Sequence, residues 1–250
     1  MTTILRVLGA DFSANPIGFI PPVSSGLEGW WYLGDSMEKS LRNLAPGKPD
    51  ATPFGAPGVQ AGYLEMKGMT NYLRTSIAET ASYTLLAVAA SDETFAAAAT
   101  QPTMISSQNN STTSGARMFL GSGATAAPVA RLSSFASALN DSSVSAMYGD
   151  TLDVSNASAF RFYATALDAG VARYMWDKTG ATSKTTPITR TRTLNVGGRT
   201  YDIGSAFLGG QTATQRMAFA AIYSRALTDA EVTTVYQAVK AFLTKRSIMV

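Results

Sequence analysis

The end of the chain passes from a buried strand to an amphipathic helix, and this succession limits the possible folds more than any other feature. Apolar residues run almost unbroken from Met217 to Tyr223, as in a strand buried on both faces. Thr228 is a predicted N-cap, and Glu231, three residues later, completes a capping box. Apolar residues then recur at helical spacing, at Val232, Val235, Tyr236, Val239, Phe242 and Leu243. This pattern predicts a helix over 228–245 that packs one apolar stripe on a β domain.

Short strands separated by turn residues precede this helix. The predicted strands cover 26–35, 62–66, 71–74, 82–90, 103–108, 116–120, 129–132, 144–148, 159–165, 171–176 and 217–223. Stretches 40–62 and 179–189 are predicted loops, and 92–102 stays open between a helical turn and a loop. Turns about every ten residues are typical of an antiparallel β-sandwich or jelly roll. We predict an all-β fold without a repeat or a second domain.

Two passages resemble the concanavalin A-like, laminin-G-like sandwich family. Gly26 to Asp35 matches the strand through which the family enters the sandwich, a Gly-x-Trp-x-aromatic stretch. The other matching residues are Gly197-Gly198, Phe207, Gly209-Gly210, Ala220 to Tyr223 and Arg225 to Glu231. The resemblance implies that 26–250 form one antiparallel sandwich that includes the C-terminal helix. The family contains lectins, glycosidases and structural domains, so the fold leaves the function open.

The first predicted strand carries aromatic side chains on both faces. A period of two places Trp30 and Tyr32 on one face and Trp31 and Leu33 on the other. We expect one pair in the core. The other pair either packs, which the burial frequencies of such residues favour, or stacks on a sugar.

Residues 1–25 are predicted to form an extended arm, because a short strand is followed by turn residues and by Pro21-Pro22. The apolar residues of the arm are Ile4, Leu5, Val7, Phe12, Ile17, Phe19 and Ile20. The passage ILRVLGADFSANPIGFIPP resembles the start of virion proteins of tailed bacteriophages and prophages. The resemblance implies that the arm anchors the sandwich among other virion proteins, after synthesis in the bacterial cytoplasm.

Composition excludes several classes of function. Cys and His are both absent, which removes disulfides, ordinary zinc sites and every Ser-His or Cys-His catalytic pair. The net charge is +3 without a Lys/Arg run longer than two, so nucleic acid is not an expected partner. No stretch is a candidate signal peptide or membrane span, and we expect no membrane insertion. Charged residues make up 15% of the chain, and a surface so poor in charge suits a homo-oligomer, for which we take a trimer as the working number.

The sequence gives little support for hydrolysis of glycans. A glycosidase needs two carboxylates that face each other, and the sandwich glycosidases of this family carry them in a Glu-x-Asp-x-x-Glu pattern that is missing here. We predict a protein that is not an enzyme and that needs no cofactor. Asp141, Asp150 and Asp153 are weak candidates for a calcium site, but residues of these types are more often turn and cap residues.

The sequence does not exclude glycan binding. Glycan sites combine aromatic faces with polar side chains on loops and leave little trace in a sequence. The candidate residues are Trp176, Tyr174, Tyr148, Tyr201 and Arg117. Our leading hypothesis is a lectin-like module of a tail fibre or spike, displayed on the particle and attaching it to host-surface glycan. The alternative is a capsid or tail decoration subunit that binds no glycan, and a less favoured one is a glycan-degrading enzyme with dispersed carboxylates.

Overall fold

The computed structural model describes residues 19–108, 115–122, 130–139, 143–194, 199–207 and 209–250, and within them antiparallel strands predominate. The strands are β1 (Leu27–Tyr32), β2 (Thr52–Phe54), β3 (Gly58–Gln60), β4 (Tyr63–Lys67), β5 (Tyr72–Ala78), β6 (Tyr83–Ala90), β7 (Thr103–Ser106), β8 (Ala116–Ser122), β9 (Ala130–Leu139), β10 (Ser145–Val154), β11 (Arg161–Asp168), β12 (Ala172–Asp177), β13 (Thr182–Pro187), β14 (Thr200–Ile203) and β15 (Thr214–Tyr223). The helices are α1 (Met37–Leu41) and α2 (Asp229–Thr244). The prediction of an all-β sandwich with one long C-terminal helix is confirmed.

The strands form two sheets. Sheet A has the order β13-β12-β11-β6-β15-β4-β3, and β1 pairs with β15 beside β4. Sheet B has the order β10-β9-β8-β7-β14-β5-β2. Strand β15 is the centre of sheet A, because it pairs with β6 along one side and with β4 and then β1 along the other. The apolar run that predicted a doubly buried strand therefore lies inside the sheet, and its side chains enter an apolar core on each face.

One apolar core fills the space between the sheets, and a second lies outside sheet A. Strand β6 is buried along its whole length because alternate residues serve the two cores. Leu85, Ala87 and Ala89 face sheet B, whereas Leu86 and Val88 face away from it. A sheet buried on both faces needs a further layer of structure, and α2 supplies it.

Helix α2 begins as its sequence predicts. The Thr228 hydroxyl accepts a hydrogen bond from the backbone N–H of Glu231 at 3.3 Å, and the Glu231 carboxylate accepts one from the backbone N–H of Thr228 at 2.9 Å. The buried stripe of the helix consists of Val232, Val235, Tyr236, Val239 and Leu243. Within the described ranges, neither α-helix is long and apolar enough to cross a membrane.

Both faces of β1 are buried. Trp31 lies in the core between the sheets. Trp30 has no exposed surface and lies in the outer core beneath α2, where Tyr32 stacks on Phe242 of the helix with ring centroids 3.7 Å apart. Both aromatic pairs of this strand therefore serve packing, and the alternative that one of them stacks on a sugar is wrong.

Two stretches predicted to be loops contain regular structure. Helix α1, β2 and β3 lie within 40–62 or at its margin, and β13 lies within 179–189. Strand β13 consists of polar residues and a terminal proline, so it lacks the apolar alternation that identifies a strand. Its ladder hydrogen bonds join it to β12 across the short turn 178–181, so the pairing is local although no apolar pattern marks the strand.

Other boundaries also shift. Strands β9 and β10 are each ten residues long, about twice the predicted length, because their ladder continues through Ser, Ala and Asp after the apolar pattern ends. The undecided stretch 92–102 contains one 3₁₀ turn, Ala98–Thr100.

The described end of the predicted arm lies against the sandwich. The Phe19 ring packs 5.4 Å from the ring of Trp30, and the Tyr223 hydroxyl donates to the backbone oxygen of Val23 at 3.0 Å. Ile20 is 86% exposed. Ile4, Leu5, Val7, Phe12 and Ile17 lie outside the described residues.

Candidate functional site

The two sheets end on the same side of the sandwich, and their last strands face each other across a gap. Strand β10 is the edge of sheet B, and it contacts both β12 and the edge strand β13 of sheet A. The chain after β13 crosses from one sheet to the other. The backbone N–H of Ile188 donates to Val171 at the edge of sheet A, and that of Thr193 donates to Ser137 of β9. Residues 188–193 therefore close one end of the gap.

A cavity of about 170 Å³ lies at this closed end. Its walls come from β9, β10 and β12, from the end of β11 and the turn after it, and from 186–190 and Arg192. Much of the wall is apolar, including Ala136, Ala138, Leu167 and Ile188. Three arginines, Arg173, Arg190 and Arg192, also line it, and none of the described residues in its wall is acidic.

Arg173 reaches the cavity because it lies on the inner face of β12, two residues before Met175 of the central core. It is 5% exposed, and its Nη2 donates to the backbone oxygen of Tyr148 at 2.9 Å. Its Nε–H is buried and has no acceptor among the described residues. Burial lowers the pKa of Arg173, Tyr83 and Asp150 oppose this effect, and the charge of Arg192 adds to it. An arginine still remains protonated at neutral pH.

Arg192 forms the side of the cavity nearest β9. Its Nη1 donates to the backbone oxygen of Ser137 at 2.6 Å, and its Nη2 pairs with the Glu79 carboxylate. The side chains of Arg192 and Glu79 are 5% and 2% exposed, so this ion pair is buried. The Nε–H of Arg192 is buried without an acceptor in the described part of the chain. Two arginines thus hold buried donors in the wall of one cavity.

Arg190 and Tyr148 stand together at the cavity. The Arg190 guanidinium lies over the Tyr148 ring, 4.3 Å from its centroid, which is a cation–π contact. Both residues are half-buried. A half-exposed aromatic side chain beside positive charge is a surface suited to a polar ligand with an apolar face.

Hydrogen bonds between Asp150 and β13 separate the cavity from a second opening along the same gap. The Asp150 carboxylate of β10 accepts hydrogen bonds from Lys184 and Thr186 of β13 and from the backbone N–H of Thr151. Burial raises the pKa of Asp150, but these hydrogen bonds outweigh it and hold the pKa below its ordinary value. On the other side of these hydrogen bonds is an open groove of about 510 Å³, where Arg131 pairs with Asp153 at 2.5 Å.

Among the five predicted glycan-binding residues, Tyr148 lies at the cavity and the other four do not. Tyr174 and Trp176 stack on each other on the outer face of sheet A, with centroids 5.8 Å apart, and Trp176 is 4% exposed. Tyr201 has no exposed surface and lies in the central core. Arg117 is buried on sheet B, where its Nε donates to the Thr103 hydroxyl at 2.9 Å and burial lowers its pKa to about 9.

The candidate calcium ligands are not gathered either. Asp150 is engaged by Lys184 and Thr186, and Asp153 is paired with Arg131. Asp141 lies outside the described residues. Within the described ranges, no three Asp or Glu side chains come close enough together to hold a metal ion.

The sequence analysis missed the three arginines of the cavity. One signal existed for Arg173, because strand periodicity places it on the same face as the apolar Met175. Arg190 and Arg192 lie in a stretch without apolar alternation, and no local pattern indicates that it turns toward β9.

No family model matches the chain, and no curated protein matches it. Solved structures do match it in fold. One is the binding domain of botulinum neurotoxin serotype G, with a TM-score of 0.61 and 12% identity over 86% of this chain and 51% of that one. Another is the binding domain of botulinum neurotoxin DC in complex with rat synaptotagmin II, with a TM-score of 0.57 and 9% identity over 87% of this chain and 52% of that one.

The same neurotoxin DC domain in complex with SialylT matches with a TM-score of 0.57 and 9% identity, over 86% of this chain and 52% of that one. The chain thus spans about half the length of these neighbours. At such identities the likeness shows the fold alone: an antiparallel sandwich that also occurs in receptor-binding domains.

Proposed function

We propose that this chain is a non-enzymatic binding module that takes a glycan at the edge of its sandwich. The observation that carries the proposal is the cavity lined by Arg173, Arg190 and Arg192, which combines apolar walls with buried donors that lack acceptors in the described part of the chain. Ligand sites of proteins are concave and mostly apolar, with a few polar groups that orient the ligand. The neighbours' attachment to receptors supports the proposal by analogy of fold.

Binding without catalysis fits the chemistry of this edge. Hydrolysis of a glycosidic bond needs two carboxyl groups about 5 to 10 Å apart across a cleft. The described wall of the cavity contains no carboxylate, and the groove contains Asp153, which is already paired with Arg131. We therefore assign the edge to recognition and orientation of a ligand.

A glycan array probed with the full chain tests this function. We expect binding to a restricted set of glycans, and we expect that set to be lost when Tyr148→Ala removes the aromatic ring beside Arg190. Val59→Ala, at a side chain that is 38% exposed on β3, the opposite edge of sheet A, is the control and should bind like the unchanged protein. Absence of binding across the array, or equal binding by the Tyr148 variant, refutes the proposed site.

We further propose that the module is carried on the virion of a tailed phage or prophage, with the arm 1–25 as its anchor and with assembly as a homo-oligomer. The support is the resemblance of the N-terminal passage to virion proteins and the low charge of the surface. Gold labelling of intact particles with an antibody to the sandwich should mark fibres or spikes. Label on no part of the particle would refute the virion assignment.

A decoration subunit is the second candidate, and an exposed aromatic strip on sheet B favours it. Phe54 is 45% exposed and Phe207 is 39% exposed. Arg74 lies beside the Phe54 ring, and Arg199 lies over the Phe207 ring. Both arginines form ion pairs with Asp202, which connects the two aromatic residues. If this strip is an interface between subunits, Phe54→Ser should abolish incorporation into particles and leave glycan binding unchanged.

A further inference from the structure

We propose that the group bound in the cavity is the carboxylate of an acidic sugar, a uronic acid, and that Arg173 binds it directly. This inference rests on the proposed glycan-binding function and specifies its ligand class. It follows from the charge, the donors and the size of the cavity.

One charge in the cavity wall, that of Arg173, has no ion pair among the described residues. Arg192 is paired with Glu79, and the nearby carboxylate of Asp150 is occupied by Lys184 and Thr186. Arg173 forms no direct ion pair with these carboxylates: its hydrogen-bond acceptor is the neutral backbone oxygen of Tyr148, and Asp150, which attracts it, is already paired with Lys184. A buried charge without a partner is costly, and an anion bound beside it offsets that cost.

The donors are of the chemical type that binds a carboxylate. The guanidinium of arginine is a planar fork of N–H groups, and carboxylates bind such forks through charge-assisted hydrogen bonds. The Nε–H groups of Arg173 and Arg192 both lie buried in the cavity wall without acceptors among the described residues. A carboxylate has two oxygens and is able to accept from both arginines.

The size and the walls favour an organic anion over a small inorganic one. On the same measure a single water molecule needs about 10 to 15 Å³, so 170 Å³ exceeds the room that a carboxylate needs and admits the carbon atoms attached to it. Ala136, Ala138, Leu167 and Ile188 offer apolar contact to the C–H face of a sugar. Tyr148, held by Arg190, provides a ring against which a sugar packs.

The test compares sugars that differ in the carboxylate alone, using the full chain and ligand-observed NMR titration. Glucuronic acid is paired with glucose, and galacturonic acid with galactose. We expect one uronic acid to bind at least tenfold more tightly than its neutral partner. Arg173→Gln should reduce that affinity tenfold or more, as loss of a charge-assisted hydrogen bond does, while Arg173→Lys retains part of it because the charge remains.

Two controls separate a binding role of Arg173 from a structural one. Arg216→Gln removes a partly exposed arginine of β15 that pairs with Asp92 and does not line the cavity, and it should leave the affinity unchanged. The melting temperature of Arg173→Gln without ligand should equal or exceed that of the unchanged protein, because the substitution removes an unpaired buried charge. A large fall in melting temperature would make Arg173 a structural residue and overturn the assignment.

The remaining outcomes distinguish this inference from the function on which it rests. Equal binding of neutral and acidic sugars, or unchanged uronic acid binding by Arg173→Gln, overturns the inference and leaves the glycan function standing. Inorganic phosphate that binds more tightly than either uronic acid and displaces it also overturns the inference. If no glycan on the array binds, the proposed function itself fails.

Discussion

Replacement of Trp30 by alanine tests whether the outer face of sheet A is a closed core. Trp30 has no exposed surface, and its ring meets that of Phe219 edge to face at 4.8 Å and those of Phe19 and Tyr32 at 5.4 and 6.0 Å. Truncation of a buried Trp to alanine costs about 3 to 5 kcal/mol, because apolar contact is lost and a cavity remains. A side chain on an exposed face would cost less than about 0.5 kcal/mol.

The free energy of unfolding is measured by urea denaturation. Circular dichroism is the better probe, since the substitution removes one of three tryptophans and changes the fluorescence. For a chain of this size, 1 kcal/mol shifts the melting temperature by about 2 to 4 °C, so Trp30→Ala should lower it by about 6 to 20 °C. The urea dependence must keep the same slope for the comparison to hold.

Val171→Ala is the matched control, because its side chain is 55% exposed and should change the free energy of unfolding by less than about 0.5 kcal/mol. If Trp30→Ala is as mild as this control, α2 does not cover sheet A. The outer face of sheet A would then be available to ligands as well.

Three further predictions concern ion pairs and the start of α2. Asp177 accepts two hydrogen bonds from Arg161, at 2.9 and 2.7 Å, and both side chains are buried. Asp177→Ala leaves the arginine charge buried without its partner, so it should lower the free energy of unfolding, measured in urea, by about 3 to 5 kcal/mol. The apolar double variant Arg161→Met/Asp177→Leu leaves no buried charge and should lower that free energy much less. Thr228→Ala should cost about 1 kcal/mol by removing the cap of α2, and a loss below a few tenths would contradict the cap. Hydrogen bonds from Arg225, and further ones from Thr228, lower the pKa of Glu231 from 4.5 to about 2. Because the folded pKa lies below the unfolded one, this stabilisation is present above pH 4.5 and is lost as the pH falls toward 2, so melting curves of Glu231→Gln should depend less on pH in that window.

The parts of the fold that neighbouring residues encode could be predicted from the sequence. The cap at Thr228 and Glu231 depends on atoms three residues apart, and the structure contains both of its hydrogen bonds. The hairpin of β11 and β12 follows from alternation around the turn at Gly170, and β15 follows from its apolar run. In each case a short segment carries the signal, because its own residues show which groups must be hydrogen-bonded or buried. The sequence by itself therefore indicated an antiparallel sandwich with a terminal helix.

Other parts depended on which segments meet. Strand β13 pairs with its sequence neighbour β12, but only the assembled sandwich makes it an edge that contacts β10 of the other sheet. Trp30 is core because α2 folds back over sheet A, a contact between segments about 200 residues apart. Tertiary structure thus decided which strands form the edges and which face the helix covers.

The candidate site belongs to this second class. Tyr148, Arg173, Arg190 and Arg192 come from three separate segments, and nothing in their local sequences marks them as neighbours. Three of the five aromatic and arginine residues chosen from the sequence, Trp176, Tyr201 and Arg117, are less than 5% exposed. The sequence by itself determined the strands, the capped helix and the absence of His and Cys chemistry, because these depend on composition and on nearby residues. Only the tertiary structure decided that two sheet edges close around three arginines, since burial and the pairing of charges depend on contacts between distant parts of the chain.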